Sequence, residues 1–210
     1  MDETPQPHRP ARSPGAARDL VAIASSAGGL AALGVLLESL PEHFPAAIVI
    51  VQHLDRRHRS RMADILARRT PLTVREARDG DRLELGTVFI APPNRHLLVN
   101  SDGSLSLTES ELVHFVRPSA DLLFESVAAS HGERAVAVVL SGSGRDGSTG
   151  VTAVKRAGGA VIAQDEATAE FFGMPGAAIG TGLVDLVLPL QEVASALVTL
   201  VTGEPTSEAR

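Results

Sequence analysis

Val21-Ala22-Ile23-Ala24-Ser25-Ser26-Ala27-Gly28-Gly29-Leu30 is a short apolar run that breaks into two serines, an alanine and two glycines. Leu33, Leu36, Leu37 and Leu40 follow at helical spacing, so the stretch predicts a buried strand, a tight turn and an amphipathic helix. Such a turn lifts one residue to the carboxyl end of a sheet and aims it at the start of the next helix. There, free N–H groups and the helix dipole favour a developing negative charge. Ser26 takes that position. Gly28 and Gly29 let the backbone close on a bound phosphate or on the oxyanion of an ester under attack, and the rest of the chain has to decide between the two.

The same rhythm recurs further along. Ala46 to Val51 is a second apolar run, ending in Gln52-His53-Leu54-Asp55, and Ala135 to Leu140 is a third, ending in Ser141-Gly142-Ser143-Gly144-Arg145-Asp146-Gly147. Ala160 to Gln164 and Leu183 to Leu188 read as further strands; helices are expected over about Ser60 to Arg68, from Ser119 to about Ser130, over Ser148 to Arg156 and over Gln191 to Val201. Residues 72 to 108 differ, with four short, partly alternating runs between turn residues such as Asp79-Gly80 and Asp102-Gly103, which predicts an antiparallel excursion on one edge of the sheet. The expected fold class is therefore α/β: a doubly wound, mostly parallel sheet with helices on both faces and an antiparallel edge excursion, Rossmann-like in topology. Residues 1–18, rich in proline, and 203–210 read as flexible tails around one domain over 19–202.

The totals bound the function. At 210 residues, 44% hydrophobic and 21% charged, the chain suits one α/β domain with a substantial core. A net charge of −6 argues against general nucleic-acid binding, and the absence of Trp and Tyr removes the usual stacking platforms for single strands. There is no cysteine, so disulfides, thiolate metal sites and a cysteine nucleophile are excluded, which fits a cytoplasmic location. No apolar run approaches the roughly 20 residues that a membrane helix needs, and the amino terminus lacks a signal-peptide core.

In open α/β sheets ligands bind at the carboxyl ends of the strands. Ser26, His53 and Asp146 each follow a buried run, so a parallel sheet would gather a hydroxyl, an imidazole and a carboxylate on one edge. Each has a plainer reading: Ser26 as a helix cap, His53 as a surface histidine, Asp146 as a turn former. Their joint placement at three strand ends favours the catalytic one. Ser25 competes with Ser26, but Ser26 lies nearer the glycines. Oxyanion donors would be backbone N–H groups of Ala27, Gly28 and Gly29 and of the Ser143 to Gly147 loop, Ser143 and Gly144 foremost. His43, His58, His96, His114 and His131 follow no metal-ligand spacing and are expected to be solvated or capping; no metal or cofactor is expected. Arg56, Arg57, Arg59, Arg95 and Arg145 fall in loops on the same edge and could form a rim that attracts an acidic protein.

A rival reading starts from Gly142-Ser143-Gly144-Arg145-Asp146-Gly147, a G-x-G-x-x-G after a strand with Asp165 about 20 residues on, as in dinucleotide-binding modules. It places Asp146 inside a pyrophosphate loop, where like charges repel, and leaves Ser26 and His53 without a role. A catalytically silent signalling adaptor is the third class.

Ile23-Ala24-Ser25-Ser26-Ala27-Gly28-Gly29, Val51-Gln52-His53, Ile90-Ala91-Pro92-Pro93-Asn94-Arg95-His96, Arg117-Pro118-Ser119-Ala120-Asp121, Leu140 to Gly147 and Gly173-Met174-Pro175 together resemble the catalytic domain of the bacterial chemotaxis protein-glutamate methylesterases, the CheB type. The resemblance runs over roughly residues 19 to 201 in the family's order. It implies a doubly wound α/β hydrolase that cleaves glutamate methyl esters on the cytoplasmic helices of chemoreceptors, releases methanol and also deamidates selected glutamines. It carries the family's serine, histidine and aspartate onto Ser26, His53 and Asp146, with no cofactor. Family members commonly carry a phosphorylatable receiver domain before the esterase; with only about 18 tail-like residues here, regulation is expected either from a response regulator acting in trans or from a larger polypeptide of which this is a piece. Ser143 stands where the family often has methionine, a difference confined to the shape of the acyl pocket.

Overall fold

The computed structural model of the chain describes residues 18–53 and 61–203. In chain order the elements are β1 (Leu20–Ser25), α1 (Gly29–Glu38), β2 (Ala47–Gln52), α2 (Met62–Ala67), β3 (Thr73–Glu76), β4 (Thr87–Ile90), β5 (His96–Val99) and β6 (Leu105–Thr108), then α3 (Ala120–His131), β7 (Ala135–Val139), α4 (Ser148–Arg156), β8 (Ala160–Gln164), α5 (Gly173–Ile179), β9 (Leu186–Leu188) and α6 (Leu190–Thr202). Seven strands form one sheet in the order β3-β4-β2-β1-β7-β8-β9, and every pairing in it is parallel. The strands β1, β2, β7 and β8 are buried along their whole length. A strand covered on both faces has no solvated side to mark with polar residues, which is why these four read as continuous apolar runs.

Alternate residues of each strand feed two cores. Val21, Ile23, Ile48, Ile50, Val136 and Val138 pack on α1, α2 and α6 through Leu33, Leu36, Leu66, Val193 and Leu197. Ala22, Ala24, Val49, Val51, Ala137 and Val139 pack on the other face against α3, α4 and α5 through Leu123, Phe124, Val151, Val154 and Met174.

The edges depart from expectation. Among the described residues the one antiparallel strand pair is β5 with β6, a separate two-stranded sheet with β5 against α3, whereas β3 and β4 continue the main sheet in parallel. The partial alternation of Thr73-Val74-Arg75-Glu76 marks an edge strand, exposed at both ends and half-buried between, not a change of direction. At the opposite edge the expected strand over Leu183 to Leu188 shortens to β9, and α2 is shorter than its apolar spacing suggested. Helix α5 had no sequence signal: Gly173-Met174-Pro175-Gly176 lacks a helical apolar period, and Pro175 sits in the first turn, where its missing N–H is no loss.

From β1 the chain passes to β2 and through α2 to the edge strand β3, steps back to β4 beside β2, and then returns to build β7, β8 and β9 on the other side. The strand order thus reverses between β1 and β7, and in open α/β sheets that reversal opens a crevice at the carboxyl ends. Ser26 and Asp146 follow these two strands, and His53 follows β2 next door.

Helices α3 and α4 meet so closely that a Cβ on Gly150 would lie 2.5 Å from Phe124 Cβ and 3.0 Å from the Asp121 carbonyl oxygen. Backbone cannot yield there. Gly150→Ala is expected to destabilise the fold by about 1–3 kcal/mol, read as a lowered urea midpoint with an unchanged slope.

Candidate active site

Strand register sets the first contact. Ser25 pairs with Gln52, so Ser26 and His53 are the next residues on neighbouring parallel strands, which lie about 4.8 Å apart. By parity Ser26 continues the row of Ala22 and Ala24, and His53 that of Val49 and Val51, both on the face covered by α3 and α4. Ser25 lies on the other face. It is fully buried and donates to Gln52 Oε1 at 2.6 Å, which removes it as a nucleophile and leaves the partly exposed Ser26. Nor does Ser26 cap α1: the cap is Gly28, in the left-handed region at φ 73° with no side-chain hydrogen bond.

The Gln52 amide ties the two strand ends together. Its Nε2 donates to the Ser26 carbonyl at 2.6 Å and to the His53 carbonyl at 3.1 Å, while the His53 N–H donates to the Ser25 carbonyl at 3.1 Å. On the other side the Ser26 N–H donates to the Ser141 carbonyl at 3.0 Å. Glycine at 142 lets the loop after β7 close on the serine, since a Cβ there would lie 3.0 Å from Ser26 Cβ and collide with Met174.

His53 Nε2 lies 2.8 Å from Asp146 Oδ2, across 93 residues of sequence. Of the expected row, the imidazole–carboxylate half is formed. Among the described residues no hydrogen bond joins the Ser26 hydroxyl to the ring, a link that in hydrolases commonly tightens only when substrate is bound. Because Nε2 is committed to the carboxylate, Nδ1 is the nitrogen left to act on Ser26.

Asp146 sits in a cradle made by the start of α3. Its Oδ1 accepts from Ser119 Oγ at 2.8 Å and from the Asp121 N–H at 3.1 Å, and its Oδ2 accepts from the Ala120 N–H at 2.6 Å as well as from His53. Burial is the largest influence on this carboxyl and pushes its pKa up. The bonds from His53, Ala120 and Asp121 and the attraction of the His53 ring together outweigh it and hold the group below the ordinary carboxylate value. Asp121 behaves oppositely. Its Oδ1 accepts from the N–H groups of Gly147 and Gly150 at 2.9 and 2.8 Å, fixing the loop that carries Asp146. Burial first, and then the neighbouring Asp146 charge, raise its pKa in spite of those bonds. Its Oδ2 lies 3.3 Å from His114 Nε2 without hydrogen-bond alignment.

Of the expected oxyanion donors, the Gly29 N–H is already bonded to the Ser26 carbonyl at 2.9 Å, so Gly29 is corrected from donor to turn former. Among the described residues the N–H groups of Ala27, Gly28, Ser143 and Gly144 make no such bond. His96 meets the capping half of its expectation and not the solvated half. It is fully buried, with Nδ1 accepting from the Ser119 N–H at 3.1 Å and Nε2 facing the Glu111 carbonyl at 3.0 Å, so it supports the cap of α3. His131, near the end of α3, is pushed down to about 4 by burial and then by Arg134. Arg95 pairs with Glu109 at 2.5 Å and Arg145 is exposed beside the site, whereas Arg56, Arg57, Arg59 and His58 lie outside the described residues. The dinucleotide reading loses its acid: Asp165 Oδ1 accepts from the N–H and hydroxyl of Thr168, turned into its own loop, and Asp146 faces α3. Among the described residues no group of three His, Asp or Glu side chains is placed to hold a metal ion. Sequence reasoning gave no role in the site to Gln52, Ser119 or Asp121; their place at the end of a strand or the start of a helix was the available signal.

Comparison with known proteins agrees with this architecture. The family described as CheB methylesterase matches residues 21–197. A Moorella thermoacetica protein named protein-glutamate methylesterase/protein-glutamine glutaminase is 45% identical over 198 residues, covering 92% of this chain and 46% of that protein. A Burkholderia pseudomallei protein named protein-glutamate methylesterase/protein-glutamine glutaminase 2 is 46% identical over 187 residues, covering 89% and 55%. The chain thus spans about half the length of the curated relatives it matches. The crystal structure of the Thermotoga maritima CheB methylesterase catalytic domain is similar at a TM-score of 0.84 and 38% identity, covering 88% of this chain and 99% of that one.

The carboxylate cradle sets a pH dependence. Because the folded pKa of Asp146 is lowered, its contribution to stability is present above the unfolded value of about 3.9 and is lost as pH falls through the folded pKa. Asp146→Asn removes the charge in both states. The stability gap between wild type and Asp146→Asn is therefore expected to be widest near neutrality and to shrink below about pH 4, as measured by urea midpoints over a pH series.

Proposed function

This chain belongs to the CheB methylesterase family, and from that premise we propose that it hydrolyses glutamate γ-methyl esters on the cytoplasmic helices of chemoreceptors, releasing methanol. The observation that carries the reading is the 2.8 Å bond between His53 and Asp146 beside Ser26, at the point where the strand order reverses. The catalytic unit is the domain over 19–202, working in the cytoplasm; among the described residues no helix is long and apolar enough to cross a membrane. A response regulator acting in trans is the proposed controlling partner.

In the proposed reaction His53 Nδ1 takes the proton of the Ser26 hydroxyl as its oxygen attacks the ester carbonyl. The negative charge that develops on the carbonyl oxygen meets the N–H groups of Ala27, Gly28, Ser143 and Gly144, which among the described residues have no backbone partner to give up. The imidazolium, held by the ionised Asp146, returns the proton to the departing methoxide, and methanol leaves a seryl ester. Water, deprotonated by the same nitrogen, then attacks that ester and frees the glutamate carboxylate and the serine. A glutamine side chain enters the same sequence with ammonia as the leaving group, which is the glutaminase activity named for the relatives.

The α3 cradle contributes before substrate arrives. It keeps Asp146 charged in a buried place, so the imidazolium forms against a fixed counter-charge with little reorganisation. Ser26→Ala should lower methanol release from methylated chemoreceptors by on the order of 10³-fold or more, with the thermal midpoint little changed. Near-normal release by that variant would refute the assignment.

A further inference from the structure

Ser26 and His53 stand one residue beyond the ends of β1 and β2, where the ladder between those strands runs out. Its last backbone bond there is the one from the His53 N–H to the Ser25 carbonyl at 3.1 Å. Past that point the ladder no longer sets the distance between the two chains. Gln52 adds a further rung from its side chain. A primary amide nitrogen carries two N–H bonds in a fixed fork, and here it serves the Ser26 carbonyl at 2.6 Å and the His53 carbonyl at 3.1 Å.

The direction of that amide is itself fixed. Turned end for end, an amide keeps its shape but would aim its oxygen at two carbonyl oxygens. Ser25 Oγ opposes this by donating to Gln52 Oε1 at 2.6 Å, which commits the oxygen and leaves the nitrogen facing the two carbonyls. Ser25 and Gln52 are register partners, 0% and 5% exposed, so water does not compete for these bonds. Gly29 makes the room: a Cβ there would lie 2.2 Å from Gln52 Oε1 and 2.7 Å from Ser25 Cβ. By parity both side chains continue the rows of Ile23 and Ile50 on the α1 face, opposite to the face of Ser26 and His53.

We propose that Ser25 and Gln52 form a positioning unit that sets the spacing between the nucleophile and its base by clamping the backbone carbonyls of Ser26 and His53. The proposal rests on the reading of Ser26 and His53 as a hydrolytic pair. It gives both serines of Ser25-Ser26 a place, one in the chemistry and one in its alignment. A misplacement of about 1 Å between reacting groups costs on the order of 10²-fold in rate, so loss of the clamp is expected in turnover and not in binding.

The test compares wild type with Gln52→Met, Gln52→Glu and Ser25→Ala. Methionine fills a similar volume without a donor, and an ionised glutamate turns acceptors toward two carbonyl oxygens. Methanol release from a methylated chemoreceptor cytoplasmic domain gives kcat and KM. Alongside it, a small fluorophosphonate labels Ser26: the fraction labelled counts folded molecules, and the rate constant reads the alignment of the pair. Both Gln52 variants are expected to lose about 10- to 100-fold in kcat with KM within about twofold, the labelling rate constant falling in parallel, and Ser25→Ala about 3- to 10-fold in both. Wild-type rate constants in the two Gln52 variants, whatever fraction is labelled, would overturn the proposal, and so would a loss confined to KM. Should neither Gln52 variant fold, an unchanged rate constant in Ser25→Ala overturns it. Wild type that is labelled at Ser26 but releases no methanol from methylated receptors would overturn the methylesterase reading, while the labelling rate constants still decide this inference.

Discussion

One buried carboxylate joins the parts of this structure that chemistry needs. Asp146 leaves the loop after β7, accepts from a hydroxyl and two N–H groups at the start of α3, and meets the imidazole at the end of β2. Each hydrogen bond to a charged acceptor is worth roughly 1.5–3 kcal/mol, so several are required to offset the desolvation of the charge. The cradle meets that requirement and at the same time fixes where α3 begins. Helix placement and the arrangement of the candidate site are therefore one problem, solved by one set of bonds. A second carboxylate, Asp121, restrains the backbone of the Asp146 loop from behind through Gly147 and Gly150.

Much of the fold was legible because full burial leaves a plain mark. β1, β2, β7 and β8 are apolar throughout, and the residues that follow them are the ones a parallel sheet collects at its carboxyl edge. The edges were less legible for a physical reason: β3 is half solvated and β9 is three residues long, so neither shows the signature of a central strand. α5 is held by tertiary contacts of Met174 and Ala178, which no local period announces.

The site was legible in outline and not in its supports. Ser26, His53 and Asp146 could be named from strand ends, but the choice between Ser25 and Ser26 became firm only with the register, which turns Ser25 toward Gln52. His96 was expected to be solvated or capping; it serves the cap of α3, but its full burial was not legible because an isolated histidine says nothing about its partners. Its burial follows from backbone groups at 111 and 119 that occupy both ring nitrogens. Gly29 was misread as an oxyanion donor because spacing alone does not reveal that its N–H is bonded within the turn.

The strand order has a bearing on durability. Sheets of this kind open from their borders inward, because outer strands have one neighbour and more solvated backbone. Here the borders are β3 and β9, while the serine, imidazole and carboxylate hang from the innermost trio, β1, β2 and β7. Fraying at either rim can therefore come and go without disturbing these three groups, and amide protons around Ala22, Val49 and Ala137 should be among the slowest in the molecule to exchange with solvent.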